Sequence, residues 1–448
     1  MQYQQAYLEL LKMQDSLIEK IKPYIKNYDS YLVGGYLRDL LSGEISPDRD
    51  IAIKCDNLAK LTKKIADELN GSFVELDPVN EIYRVVFGDD YIDFAKLLNN
   101  NLIDDIKRRD FTINAITYDI NNEKFVDITG GKKDFEEKII RTYKISNLSD
   151  DPLRTLRAIR FQAKLGFRID DEIINFIKEN NSLILNVAPE RIHQELIKTF
   201  EGKFLIDALF SMDETGLLDV IFPFFKDIKK IPSNSHHHLD LFHHLIETTR
   251  NIRINKPELK LAAFIHDLAK PDCWTIEKDT GRHRFIGHDE LGAKKVVPCL
   301  KKLKFSNKEI EYISKMVQFH IYPSALMKDE NVTERAIIRF IRKIGDDTLD
   351  LLELARADRL SARGPAVSDE MVQVNLSNLE KLKEKYFEIS PKLKEMPKLV
   401  DGNEIMQILN LKPSPKLKEI IDEIKELQLE GKINTKEDAI NFLKNYKL

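Results

Sequence analysis

Over the first hundred residues, apolar and polar positions alternate in short runs, each ending at Gly, Asp or Asn. YLVGG (31–35), RDIAIK (49–54), SFVEL (72–76), IYRVVF (82–87) and YIDFA (91–95) therefore predict strands. A helix over about 3–27 precedes them, and LRDLL and NLAKLTKKIADEL carry helical spacing between them. Together these elements predict a small α+β unit ending near residue 145, after the turn at Gly130-Gly131. From about 150 to 225, and again from His236 to about Asp358, the pattern is helical. The tail beyond about 370 is Lys/Glu-rich and helical, with interruptions expected at Pro391, Pro397, Pro413 and Pro415. The fold class expected is α+β, a head with a mixed sheet followed by all-α regions.

Composition narrows the class. The 448 residues suggest about three domains. A chain with 42% hydrophobic and 32% charged residues is neither disordered nor a membrane protein, and no apolar run approaches the ~18 residues of a spanning helix. The N-terminus lacks a basic stretch followed by an apolar one, so no signal peptide is expected. Cys55, Cys273 and Cys299 make no disulfide framework, which fits a reducing cytoplasm. A net charge of -4 excludes a uniformly basic nucleic-acid binder, yet 70 Lys plus Arg allow local basic faces.

Candidate chemistry begins at YLVGGYLRDLLSGEISPDRDIAI. Asp48 and Asp50 enter a strand two residues apart, so both carboxylates leave one face. Converging carboxylates hold divalent cations for phosphoryl transfer, and Asp93 on a neighbouring strand offers a third. The Gly34-Gly35 turn lets backbone N–H groups approach a phosphate, with Arg38 one turn further. An isolated Asp-x-Asp is commonplace in solvated turns; GGxxRD followed by DxD is far more specific. A second signal lies at 150–168, where Arg154, Arg157, Arg160, Lys164 and Arg168 fall within about a third of a helix circumference. Such a stripe can hold a triphosphate or an RNA backbone, although a solvated charged face is the commoner meaning.

These motifs resemble the nucleotidyltransferase superfamily, and within it the class of bacterial tRNA CCA-adding enzymes and poly(A) polymerases. RRDFTINAI (108–116), VDITGGKKDFEEKIIRT (126–142), DDPLRTLRAIRF (150–161) and PERIHQEL (189–196) continue the resemblance in order. It implies Mg²⁺ on Asp48 and Asp50, with Asp93 as the third catalytic carboxylate. It implies nucleotide contacts at Gly34, Gly35, Arg38, Arg108, Arg157 and Arg160. Asp151 and Arg154 are implied to present acceptor and donors to the base of the incoming nucleotide, replacing a nucleic-acid template. In the family the first acid of that motif is usually Glu; here it is Asp150. Arg191 and Glu195, spaced i,i+4, are expected to pair within their own helix.

Nine of the ten histidines lie between His236 and His320. His244, His266-Asp267 and Asp358, with His288 and His320 between, resemble the HD metal-dependent phosphohydrolase domain. The resemblance implies a divalent transition metal of the Mn, Ni, Co or Fe type on these six residues, and phosphatase or 2′,3′-cyclic phosphodiesterase chemistry. His236, His237, His238 and His243 are not required as ligands. Four regions are thus expected: a nucleotidyltransferase head (1–145), a helical neck with a nucleobase-recognition helix (146–225), an HD domain (226–365) and a helical tail (366–448). The tail carries six Lys against three Glu over 381–398, a candidate tRNA face.

The function expected is addition of CMP to tRNA 3′ ends from CTP, with pyrophosphate released. Partners are then the tRNA 3′ end and CTP, and ATP if a full CCA is built, with no membrane and no protein partner implied. Between Asp93 and Arg108 lie only 14 residues, where the family's CCA-adding enzymes are implied to carry a longer mobile segment; this favours CC addition over CCA addition. The rivals are a poly(A) polymerase and, from another class, an RNA-binding HD phosphohydrolase whose head is inactive.

Overall fold

The computed structural model describes residues 15–446, apart from 44–45, 236, 329–331 and 430. The first part of the helix expected over 3–27, and His236, lie outside the described residues. The chain divides into two compact units, up to residue 221 and from 222 onward.

All five expected strands form: β1 (Ser30–Val33), β2 (Arg49–Ile53), β3 (Ser72–Asp77), β4 (Ile82–Phe87) and β5 (Asp90–Lys96). Two short strands, β6 (Thr117–Asp119) and β7 (Lys124–Val126), complete a seven-stranded sheet in the order β3-β4-β5-β2-β1-β6-β7. The β2–β5 pair is parallel and the other neighbours are antiparallel, so the sheet is mixed.

Strand alternation gives the sheet two different faces. Leu32, Ile51, Ile53, Val85, Ile92 and Phe94 pack with Ile21 and Ile25 of α1 (Ser16–Ile25) and with Leu58 and Ile65 of the helix at Leu58–Glu68. Each such side chain stabilises the fold by roughly 1.5–3 kcal/mol on burial. The opposite face carries Asp50, Arg84, Tyr91 and Asp93. Asn101 caps the short α2 (Leu102–Lys107) by accepting from the Ile103 amide at 2.8 Å.

The neck is built on α3 (Leu153–Leu165) and α4 (Pro189–Glu201). Leu153, Leu156, Ile159 and Ala163 give α3 its buried stripe. The helix ends at Gly166, whose φ of 69° is left-handed and whose Cβ, if present, would sit 2.8 Å from the Phe204 ring. Arg168 is therefore not on the helix, contrary to the five-residue stripe expected; it lies on a short strand at Arg168–Ile169 and faces Asp171 at 3.6 Å.

The second unit is helical except for a hairpin, Trp274–Ile276 with His283–Phe285, where the sequence pattern predicted helix. Its relevant helices are α5 (Leu241–Asn251), α6 (Pro257–Ile265), α7 (His288–Lys302), α8 (Asn307–Phe319) and α9 (Thr348–Ser361). Pro391 does not interrupt the tail as expected: a single helix runs from Asp369 to Glu395 through it. Among the described residues no helix is long and apolar enough to cross a membrane.

Candidate functional site

In the first unit the site forms where β1 turns into the helix Gly35–Leu41 above the start of β2. Gly34 has φ 80°, and a Cβ there would lie 2.6 Å from Asp50 Oδ2. Only glycine allows the backbone this close to the carboxylate. Asp50 pairs directly with Asp93 in the β2–β5 register, and Asp93 with Arg84 in the β4–β5 register. Asp48, Asp50 and Asp93 thus converge on the polar face. Burial, then the charge of Asp93, pushes the Asp50 carboxyl up to about 6, against the opposing charge of Arg109. Between the two motif carboxylates, Arg49 points the other way. It is buried, with Nε 2.5 Å from Asp15 Oδ2 and Nη1 3.0 Å from Asp90 Oδ1, and so ties the strand to the cap of α1.

The structure divides the expected arginines by what holds them. Arg38 is buried behind the turn, donating to Asp39 (2.9 and 2.6 Å) and Asn114 (2.6 Å). Arg108 is exposed and bonds Asp105 at 2.9 Å. Its neighbour Arg109, which the sequence reading passed over, is the one whose charge bears on Asp50; it bonds Asp105 at 2.8 Å, and its buried Nε has no partner. Arg157 donates twice to the buried Asp110 (2.9 and 2.6 Å) and reaches Glu195 at 3.3 Å. Arg160 meets Glu195 at 2.9 Å and lies over the Phe161 ring at 4.2 Å; burial lowers its pKa to about 10. Lys164 reaches Asp39 at 3.1 Å.

At the start of α3, Asp151 and Arg154 are a turn apart. Asp151 accepts from Arg191 on α4 at 2.7 and 3.3 Å, and Arg154 donates to the Asn147 carbonyl at 2.8 Å. The expected Arg191–Glu195 pair within α4 therefore gives way to three ion pairs reaching outside it, Arg191 with Asp151 and Glu195 with both Arg157 and Arg160. Packing α4 against α3 brings longer-range partners closer than the i,i+4 neighbour.

In the second unit six residues from five segments meet around Asp267. His244 comes from α5, His266 and Asp267 follow α6, His288 opens α7, His320 follows α8 and Asp358 lies on α9. Asp267 Oδ2 is 3.1 Å from His266 Nε2 and 3.4 Å from His244 Nε2. Its Oδ1 is 3.1 Å from His288 Nε2 and 3.5 Å from His320 Nε2. Asp358 Oδ1 lies 3.2 Å from His244 Nε2. His266, His288 and His320 each donate Nδ1–H to a backbone carbonyl, of Ala263, Phe285 and Val317, at 2.6–2.8 Å. A carbonyl only accepts, so in a neutral ring the lone pair lies on the inward Nε2; those of His288 and His320 are 3.2 Å apart. His244 Nε2, His266 Nε2 and both Asp267 oxygens are buried without a hydrogen-bond partner. Imidazole nitrogens and carboxylate oxygens that face one another in this way are a ligand set that could hold a metal ion. Burial opposes the Asp267 charge, but His266 and Lys270, the latter 2.5 Å away, hold it well below the usual carboxylate range. A cavity of about 300 Å³ opens beside the cluster, lined also by His237, Arg282 and Arg359. His243 stays outside, bonded to Asp240.

Residues 30–141 match the Poly A polymerase head domain family, 166–229 the family described as Probable RNA and SrmB-binding site of polymerase A, and 286–443 the tRNA nucleotidyltransferase domain 2 family. An A-adding tRNA nucleotidyltransferase of Deinococcus radiodurans is 30% identical over 424 residues, covering 93% of this chain and 95% of that protein. A CC-adding tRNA nucleotidyltransferase of Thermus thermophilus is 30% identical over 433 residues, 94% of each. The Bacillus stearothermophilus CCA-adding enzyme in complex with CTP shares the fold, with a TM-score of 0.62 at 23% identity over 97% of this chain and 96% of that one.

Proposed function

The chain belongs to the class II tRNA nucleotidyltransferases, enzymes that extend tRNA 3′ ends from nucleoside triphosphates, and on that premise we propose that it adds C residues and stops before the terminal A. The observation that carries this reading is the segment between Asp93 and Arg108. Strand β5 uses it through Lys96, a 3-10 turn takes Leu98–Asn100, and α2 takes Leu102–Lys107. The turn is made by Asn99 and Asn100, both at φ near 50°, a conformation asparagine adopts more readily than most residues. Little length remains for a mobile lever. A site that must read CTP and then ATP has to be bistable, and a segment this regular offers no obvious means of switching it. The two relatives at 30% identity carry different names, A-adding and CC-adding, and do not choose.

Mg²⁺ held by Asp48, Asp50 and Asp93 would activate the tRNA 3′-hydroxyl and offset charge on the triphosphate. Support for that fit comes from the Gly34 cradle against Asp50 and from the convergence of three carboxylates on one face. Gly34 and Gly35 let the backbone approach the phosphates, and Arg108 and Arg109 contact triphosphate and sugar. Asp151 and Arg154 read the base, oriented by Arg191 and by the Asn147 carbonyl. Arg38 and Arg157 act from behind, because their donors are committed to Asp39, Asn114 and Asp110, and Arg160 lies behind with them, its Nε buried beside Glu195. The test is a tRNA ending at its discriminator base, given CTP and ATP with Mg²⁺: products ending in CC support this function, and products ending in CCA or extended by A alone contradict it.

A second activity is favoured by the unpaired inward Nε2 atoms of His244 and His266 beside Asp267. A divalent transition metal on His244, His266, Asp267, His288, His320 and Asp358 would activate water for phosphate-ester hydrolysis. Lys270, Arg282 and Arg359 supply positive charge along the cavity for the phosphate. We assign the chain to the cytoplasm, since Cys55, Cys273 and Cys299 are all unpaired.

A further inference from the structure

Arg84 stands directly opposite Asp93 on the antiparallel β4–β5 pair. Its Nε lies 2.7 Å from Oδ1 and its Nη2 2.8 Å from Oδ2, a two-pronged grip that occupies both carboxylate oxygens. The same guanidinium rests 3.8 Å from the centroid of the Tyr91 ring. Tyr91 in turn donates its hydroxyl to Asp48, which pushes its own pKa up to about 12. Asp48, Tyr91, Arg84 and Asp93 thus form a continuous run of contacts beside Asp50. Among the described residues Asp50 alone of the three carboxylates has no side-chain partner.

Both Asp93 oxygens offer Arg84 the lone pairs that a divalent cation ligated by Asp93 would need. A guanidinium and a dication at the same carboxylate also repel each other, so occupation by one weakens the other. Stacking on Tyr91 keeps Arg84 nearby once it is displaced, since the ring can hold a cation without the carboxylate. We propose that Arg84 is a resident placeholder for the metal, neutralising Asp93 until a divalent cation arrives and yielding the carboxylate when it does. This rests on the assignment of the three carboxylates to metal. The consequence is a site that binds a divalent cation weakly by itself and is not left with three uncompensated negative charges when empty.

The test is Mn²⁺ affinity of the full chain, measured by electron paramagnetic resonance without nucleotide. Arg84→Met keeps the aliphatic stem over Tyr91 and removes the charge; it should tighten Mn²⁺ binding at the head about tenfold. Arg84→Lys keeps the charge and loses the two-pronged grip, so it should tighten Mn²⁺ binding less than Arg84→Met does. Both are measured in the His266→Ala/Asp267→Ala background so that the second unit does not contribute. Unchanged or weaker Mn²⁺ binding in folded Arg84→Met would overturn the proposal and leave Arg84 a support for Asp93. Asp50→Asn should lose Mn²⁺ whichever is true, so if it does not, the metal assignment itself has failed. Should Arg84→Met not fold, the wild-type protein decides: the Arg84 Nε–H nuclear magnetic resonance should shift on Mg²⁺ saturation as its bond to Asp93 breaks, and a stationary resonance would refute the exchange.

Discussion

Asp50 and Asp93 are partners across the one parallel pair of the head sheet, with their side chains on the face turned away from the core. Their neighbours fix this register. Ile51 pairs with Phe94 on the buried face, and a slip by one residue would expose both while moving the carboxylates into the core. The hydrophobic core thereby sets the geometry of the acidic cluster.

Loss of either motif carboxylate should remove chemistry and spare RNA binding. In Asp48→Ala and Asp50→Ala, nucleotide addition should fall on the order of a thousandfold, because a bound metal contributes several kcal/mol of charge stabilisation. tRNA affinity, measured by filter binding, should change little. Activity above a few per cent in both variants would sink the assignment of these residues.

Asp50 also makes a prediction about pH. Its folded pKa of about 6 lies above the ordinary 3.8, so the folded state holds the proton more tightly than the unfolded chain. Without divalent cations, the stability this group contributes is present below pH ~4 and is lost as pH rises to about 6. Asp50→Asn removes that loss. Its melting temperature in EDTA should gain on wild type by several degrees between pH 4 and pH 7. A difference that does not vary with pH would contradict the raised pKa.

Much of this site is legible in the sequence, and the limit falls in a consistent place. Asp48, Asp50 and Asp93 can be found because strand alternation is local and the Gly34-Gly35 turn marks the strand end. The inward histidines can be grouped because His-Asp adjacency and spacing survive in one dimension. What spacing cannot supply is the partner of a long side chain. Arg157 reads as a free cation on a stripe, yet Asp110, 47 positions earlier, takes two of its donors. Burial disfavours the Asp110 charge, and Arg157 more than compensates, so its pKa is lowered. Arg108 and Arg109 are adjacent in sequence, and only the fold turns Arg109 toward Asp50. Arg84 carries no motif at all; its role follows from the β4–β5 register.

At the proposed base-reading pair, Asp151→Ala/Arg154→Ala should erode the preference for CTP over UTP and GTP, because wrong bases no longer leave a buried group unpaired. The ratio of kcat/KM values should fall by ~10-fold or more. Arg191→Ala should produce a smaller change of the same sign, since it frees Asp151 without removing it. An unchanged ratio in the double variant would count against recognition of the base by this helix.

The two units should be separable in function. His266→Ala/Asp267→Ala removes two of the proposed ligands at the buried cluster and should abolish transition-metal content of the second unit, read by elemental analysis, together with any metal-dependent phosphatase activity. Nucleotide addition should remain within about twofold of wild type, because Asp48, Asp50 and Asp93 belong to the other compact unit. Parallel loss of both activities in a folded variant would mean the sites are not independent.

The central claim, addition of C residues without the terminal A, is tested most directly by giving the purified enzyme a tRNA that already ends in CC, with ATP as the only nucleotide, and sequencing its 3′ ends. The account predicts an unextended CC end under conditions in which the same enzyme adds CC to a tRNA ending at the discriminator base. Efficient addition of a single A would contradict it, and would mean that the short segment between Asp93 and Arg108 does not restrict the nucleobase site to CTP.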